Sequence, residues 1–288
     1  MIYRMLALNI DGTLLNNGRL NKDTKEAIDY VQSKGIHVTL ITGRTFPSAK
    51  RVAKALKIDN PLVTHQGAYI GKQMGKPLYV NKIHEDITYE LVKFLEELNC
   101  QLRVVQDKMA IMNRIKLTGS LREKVLYNRE SSFIYSTHYT DSLSEYLFED
   151  PSSALKIEAK FNSESEMSDA IKAIKGMYHE VDCIVTGAGR MDIVKRGVSK
   201  LRGLLYVCER AGITRDQVVM VGANHDDKDL LDCCGLGIAM GNAPLEVKHA
   251  ADWITRSDKQ NGVAYAVKEL FRKQQPIEFL RKMNVIKS

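Results

Sequence analysis

The run Tyr3-Arg4-Met5-Leu6-Ala7-Leu8-Asn9-Ile10-Asp11-Gly12-Thr13 decides the fold. Residues 3 to 9 are mostly apolar, long enough for one buried strand, and polar turn-forming residues follow at once. Asp11-Gly12-Thr13 break that strand. A helix is predicted from Leu20 to Lys34, with Asn21 as its cap, Ala27, Ile28 and Val31 on its apolar face, and Gly35 as its stop. His37 to Ile41 read as a second buried strand, which stops at Thr42-Gly43-Arg44. Another helix follows from Phe46 to Leu56, and Leu62 to Thr64 make a third strand. Strand, helix, strand, helix, strand at this spacing requires right-handed crossovers and a parallel sheet.

Further along, the rhythm breaks. Ala68 to Ile83 read as a hairpin around Lys72 to Lys76. Residues 84–193 then mix helices (Ile87 to Leu98, Ser163 to Lys175) with isolated strands such as Val104-Val105, Ile157 to Ala159 and Cys183 to Val185. That stretch is predicted to be an α+β insertion with an open antiparallel sheet. After Gly197 the alternation resumes: helix at Ser199 to Ala211, strand at Val218 to Val221, short helix at Asp227 to Cys233, strand at Leu236 to Ala239, and a last helix at Val263 to Lys273. The expected organisation is therefore a core in two pieces, residues 1–83 and 194–288, interrupted by a cap at 84–193.

Composition narrows the class. The chain has 288 residues, 44% hydrophobic and 27% charged, enough for two domains of ordinary size. No run approaches the roughly 18 apolar residues of a membrane span, and the first residues lack the pattern of an export signal. A cytoplasmic protein without membrane contact is the expectation. The net charge of +7 is spread along the chain rather than gathered in a block, so it does not point to nucleic acid. Five cysteines at scattered positions do not form a disulfide framework, and Cys233-Cys234 read as small buried residues at a helix end.

Three predicted strands end in polar clusters: Asn9 to Thr13, Thr42 to Arg44, and Gly222 to Asp227. In open α/β sheets ligands bind beyond the carboxyl ends of the strands, so these clusters should meet in one crevice. Lys200, near the start of a helix, could reach the same place. In this order, with Gly197-Val198-Ser199-Lys200 and Gly241-Asn242-Ala243, the residues resemble the haloacid dehalogenase-like superfamily and, more narrowly, the Cof-type sugar-phosphate phosphatases. The resemblance implies an α/β fold with a Rossmann-like parallel-sheet core and an inserted α+β cap of the C2 type that supplies specificity. It also implies Mg2+-dependent phosphoryl transfer through an aspartyl phosphate, acting on a small phosphorylated metabolite such as a sugar phosphate. Carboxylates form such covalent intermediates, and a metal with cations offsets the charge in transfer.

Carried over by position, Asp11 matches the acid/base, Thr42 and Gly43 the phosphate-binding turn, Lys200 the phosphate-binding cation and Asp227 the last acidic residue of the metal cluster. Arg44 is a candidate substrate contact, Asn242 a residue closing the site near Asp227, and His65 and Gln66 candidate rim contacts. Two positions depart from the pattern. Asn9 stands where the nucleophilic aspartate belongs. The family's Gly-Asp-x-x-Asn-Asp reads Gly222-Ala223-Asn224-His225-Asp226-Asp227, so a metal-ligand carboxylate is replaced by a methyl group. An amide is a poor nucleophile but can still offer a neutral oxygen, and Asp226 returns one carboxylate. The expected metal set is thus Asn9, Asp11, Asp226 and Asp227, holding Mg2+ weakly. Two losses in one site point to natural divergence rather than a laboratory change. Three functions follow as alternatives: a ligand-binding protein with impaired turnover, a working phosphatase in which Asp11 activates water directly, and a macromolecular binder suggested by charge alone.

Overall fold

The structure, a computed structural model, describes residues 2–16, 18–98, 100–114 and 136–283. In chain order the first piece gives β1 (Met5–Leu8), α1 (Lys22–Ser33), β2 (His37–Leu40), α2 (Phe46–Ala55), β3 (Leu62–Thr64), β4 (Tyr69–Gln73) and β5 (Lys76–Val80). The middle gives α3 (Glu85–Glu96), β6 (Gln101–Val105), β7 (Met109–Asn113), β8 (Ser136–Thr140), α4 (Leu143–Glu149), β9 (Lys156–Lys160), α5 (Glu164–Met177), β10 (Val181–Gly187) and β11 (Arg190–Lys195). The last piece gives α6 (Lys200–Ala211), β12 (Val218–Gly222), α7 (Lys228–Cys233), β13 (Leu236–Ala239), α8 (Leu245–His249), β14 (Trp253–Ile254), α9 (Gly262–Phe271) and α10 (Ile277–Lys282). The described residues divide into two compact units: one joins those up to Lys76 with those from Ser199 onward, the other is Pro77–Val198.

In the first unit the sheet order is β14-β13-β12-β1-β2, all parallel. Met5 to Leu8 lie beside Val218 to Val221 on one side and His37 to Leu40 on the other. All four residues of β1 are buried, as helices on both faces of a parallel sheet require. Helix α1 begins where Asn21 accepts from the Asp23 N–H, and it buries Thr24, Ala27, Ile28 and Val31. The chain winds in opposite directions from β1, toward β2 on one side and β12 on the other. This reversal opens a crevice beyond the carboxyl end of β1. The third predicted strand, β3, extends the sheet only through an isolated parallel bridge, Ile41 with Val63, and pairs antiparallel with β4. Its hydrogen-bonding capacity goes to the hairpin instead of to a full parallel ladder.

The second unit is built on a sheet of order β8-β7-β6-β9-β11-β10. Here the expectation of an antiparallel sheet needs correction at one edge. Four neighbouring pairs are antiparallel, but β7 and β8 run parallel. Their connection is far longer than a hairpin turn and does not force reversal. Leu91, Val92 and Leu95 of α3 and Ile174 of α5 form a core with Leu102, Val104, Ile111, Ile157 and Ile193 from one face of the sheet. Among the described residues no helix is long and apolar enough to cross a membrane. All five cysteines are free, and burial pushes the Cys234 thiol up to about 12, as fits a small interior residue.

Candidate active site

The β1 ladder runs one step past its last residue, with Asn9 N–H donating to Val221 O at 3.0 Å, so the Asn9 side chain emerges between β1 and β12. That side chain is 1% exposed. Its Oδ1 accepts from the Ile10 N–H at 2.7 Å, and its Nδ2 donates to Asp227 Oδ2 at 2.7 Å and, more weakly, to Asp11 O at 3.4 Å. The following turn closes with Leu14 N–H on Ile10 O at 3.0 Å, with Gly12 in the left-handed region at φ +67°.

Asp227 is fully buried and saturated with donors. Besides Asn9, its Oδ2 accepts from the Ala223 and Asn224 N–H groups, each at 3.0 Å, and its Oδ1 accepts from Lys200 Nζ at 2.9 Å. The loop tucks this carboxylate over the end of β12 because residue 222 is glycine: a Cβ there would stand 2.8 Å from Asp227 Oδ2. Lys200 is the first residue of α6, whose start is capped by Ser199 Oγ accepting from Arg202 N–H at 3.1 Å. Its ammonium also contacts Asp226 Oδ2 at 2.9 Å, and Gln66 Nε2 donates to that same oxygen at 2.9 Å. Asp226 Oδ1 is buried with no hydrogen-bond partner, as is Thr13 Oγ1.

Two carboxylates therefore share one lysine. Burial alone would lower the Lys200 ammonium, but Asp226 and Asp227 overcome it and hold the group above the ordinary lysine range. Burial likewise opposes ionisation of Asp226, yet the Lys200 charge and the Lys200 and Gln66 hydrogen bonds hold this carboxyl below its usual value. Burial pushes Asp227 up, with Lys200 pulling the other way.

A second charged group stands apart. Arg44 grips Asp11 from the side, with Nε at 2.8 Å from Oδ2 and Nη2 at 2.5 Å from Oδ1. The Asp11 side chain is 44% exposed. Thr42, fully buried at the end of β2, accepts the Arg44 N–H on Oγ1 at 3.1 Å and so fixes the turn into α2, with Gly43 half-buried between them.

The crevice thus gathers Asn9, Asp11, Thr42, Gly43, Arg44, Lys200, Asp226 and Asp227 at the ends of three strands. Asn242 donates to Gly12 O at 2.9 Å and accepts the Asp258 N–H at 3.0 Å, so it braces the first loop rather than bonding Asp227. His65 and Gln66 are not rim residues. They are 0% and 1% exposed, at φ +52° and +59°. Such positive values are uncommon outside glycine and often mark functional loops. Sequence reading missed the role of Gln66 against Asp226 and that of Asn224, whose Nδ2 donates to Asp11 O at 3.3 Å. A polar residue before Gly67, at the end of a strand feeding the crevice, was the available signal. His225 pairs with Glu246.

The expected magnesium set does not assemble. Among the described residues no group of three His, Cys, Asp or Glu side chains is disposed to share one ion. Asp11 is committed to Arg44, Asp226 and Asp227 to Lys200, and the Asp11 carbonyl accepts from two amide groups, Asn9 and Asn224. At residue 223 the side chain is a methyl, 3.2 Å from where a Cβ on Gly12 would lie. Magnesium needs a near-octahedral set of oxygen ligands, with carboxylates to balance its charge. These residues do not supply it.

The first unit is a parallel α/β core with polar residues at its strand ends, and an α+β unit interrupts it in the chain. The haloacid dehalogenase-like hydrolase family model matches residues 6–267. The stress response protein YhaX of Bacillus subtilis is 41% identical over 286 residues, covering 99% of each chain. A 5-amino-6-(5-phospho-D-ribitylamino)uracil phosphatase of the same organism, YcsE, is 24% identical over 92% of this chain and 94% of its own. Among solved structures, a haloacid dehalogenase-like hydrolase from B. subtilis superposes with a TM-score of 0.80 at 21% identity, covering 93% of this chain and 99% of that one. The subclass IIB sugar phosphatase BT4131 gives 0.77 at 21% identity, covering 93% and 98%. The chain belongs to the haloacid dehalogenase-like hydrolases, and its relatives agree with the Cof-type resemblance.

Proposed function

We propose that the chain is a phosphatase-fold protein that binds a small phosphorylated metabolite, such as a sugar phosphate, and turns it over slowly or not at all by the acyl-phosphate route. One observation carries this reading. The side chain at the nucleophile position is an amide whose nitrogen is committed to Asp227 and whose oxygen is committed to the Ile10 N–H. Neither atom is available to attack phosphorus, and an amide has no anionic oxygen to form an acyl phosphate. Binding groups remain. Thr42 and Gly43 form the turn that would face a phosphate, and the cations beside it, Lys200 and Arg44, are paired with Asp226 and Asp227 and with Asp11, so a bound phosphate would compete with those carboxylates. The inserted unit supplies specificity in this reading.

Direct attack by water, with Asp11 as base, is less well supported. Both Asp11 oxygens already accept from Arg44. The test is a turnover assay of the purified chain on p-nitrophenyl phosphate and a panel of sugar phosphates, with and without Mg2+, alongside a calorimetric binding screen of the same panel. Binding without turnover supports the proposal. Robust turnover lost in Asp11→Ala, with no trapped phosphoenzyme, moves the reading to direct hydrolysis.

A further inference from the structure

We infer that the Asn9 amide takes the place of a metal ion, acting as an internal donor that ties the first loop to the Asp227 loop and makes the site independent of divalent metal. The inference deepens the functional reading above and rests on it for the identity of the site. Asn9 Nδ2 lies between Asp227 Oδ2 at 2.7 Å and Asp11 O at 3.4 Å, one anionic and one carbonyl oxygen from two loops far apart in sequence. A bound cation would bridge two such oxygens in the same sense. Two N–H bonds of one amide do so here, without a charge of their own. Asn224 Nδ2 adds a second donor to the Asp11 carbonyl at 3.3 Å.

The amide orientation is fixed independently, because Asn9 Oδ1 accepts from the Ile10 N–H at 2.7 Å. A carboxylate in the same position would keep that bond but turn its second oxygen toward Asp227 Oδ2, an anion facing an anion in a site of 1% exposure. Such an arrangement needs a cation or a proton between the oxygens. The asparagine removes the need, and Ala223, packed beside Gly12, offers no oxygen to an ion.

The test compares the parent chain with Asn9→Asp. Thermal melts are run in EDTA and in millimolar MgCl2, and Mn2+ binding is followed by paramagnetic resonance. The expected result is a parent whose Tm is the same in both buffers and which takes up no Mn2+ at millimolar metal. Asn9→Asp in EDTA should melt lower by roughly 5–10 °C and recover most of that in MgCl2. If Asn9→Asp fails to fold, the parent's own melts and Mn2+ spectra still decide the test. A parent stabilised by Mg2+ or binding Mn2+ at submillimolar metal overturns the inference, as does an Asn9→Asp protein as stable in EDTA as the parent. Those outcomes concern the metal alone. The functional reading fails separately, by turnover in the phosphatase assay.

Discussion

Each unit buries a cluster of charged side chains, and the two clusters differ in balance. In the inserted unit Lys156 contacts Asp192 and Glu158, each at 2.8 Å, and Arg103 contacts Glu158 at 3.0 Å. Two cations meet two carboxylates there. They stand in register, with Arg103 opposite Glu158 and Glu158 opposite Asp192 on adjacent strands. In the core a single Lys200 faces Asp226 and Asp227, and the remaining polarity is met by neutral amides from Asn9 and Gln66. The inserted unit's cluster is carried by sheet register. The unbalanced one sits on loops at strand ends and keeps a buried carboxylate oxygen, Asp226 Oδ1, without a partner. The core cluster thus has one more carboxylate than it has cations, and the inserted one does not.

Removing the shared cation should give the largest effect. Lys200→Met leaves two buried carboxylates facing each other, and truncating one member of a buried charged cluster typically costs about 3–5 kcal/mol. We expect the upper end of that range in a urea titration, with partial recovery when Asp226→Asn is added. A loss below about 1 kcal/mol, the value of an exposed ion pair, would mean that the core cluster is not held by its lysine. Lys156→Met should cost less, about 3 kcal/mol, because Arg103 still holds Glu158. An equal loss from both substitutions would erase the distinction between the clusters.

Acid should separate them further. Burial opposes ionisation of Glu158, but Lys156 and then Arg103 outweigh it and bring the carboxyl down to about 2. A folded value below the unfolded value of about 4.3 means that this group stabilises the fold above that pH. The contribution is lost as pH falls through about 2. Across that window it amounts to about 3 kcal/mol. In the core two carboxylates oppose one another: against burial, Lys200 and Gln66 hold Asp226 below its usual value, while burial raises Asp227, whose protonation relieves the cost of its charge. Hydrogen exchange followed from pH 5 downward should therefore show the inserted unit losing protection steeply. Glu158→Gln should flatten that dependence. If the steep loss is confined to the core, the assignment is reversed.

Much of this was legible in the sequence, for reasons particular residues make plain. The four apolar residues of β1 and the Asn21 cap are local signals, and they fell where expected. The crevice was legible because strand ends in a parallel sheet converge by topology, so Asn9, Thr42 and Asp227 could be brought together before any contact was seen. What could not be read was the use each polar atom makes of its neighbours. That Arg44 holds Asp11, or that Asn224 reaches the Asp11 carbonyl, depends on side-chain packing between segments 33 and 213 positions apart. The parallel edge of the inserted sheet was missed because β7 and β8 are joined by a long connection whose length permits either direction.

The smallest predicted effect tests whether Gln66 belongs to the core cluster or merely fills space beside it. Its backbone is held at φ +59°, a region that costs most residues but that asparagine enters readily, and its amide donates to Asp226 Oδ2 at 2.9 Å. Gln66→Ala keeps the unfavourable backbone and deletes the bond, so it should lower stability by about 1–2 kcal/mol. Gln66→Asn shortens the side chain by one methylene and breaks the same bond, but it relieves the backbone, so its loss should be smaller by a few tenths to about 1 kcal/mol. Chemical denaturation of the two variants separates the contributions. Asparagine less damaging than alanine assigns Gln66 to both the strained loop and the cluster; equal losses assign it to the hydrogen bond alone. A neutral Gln66→Ala would show that Asp226 is held entirely by Lys200, and the core cluster would then be more like the inserted unit's than its geometry implies.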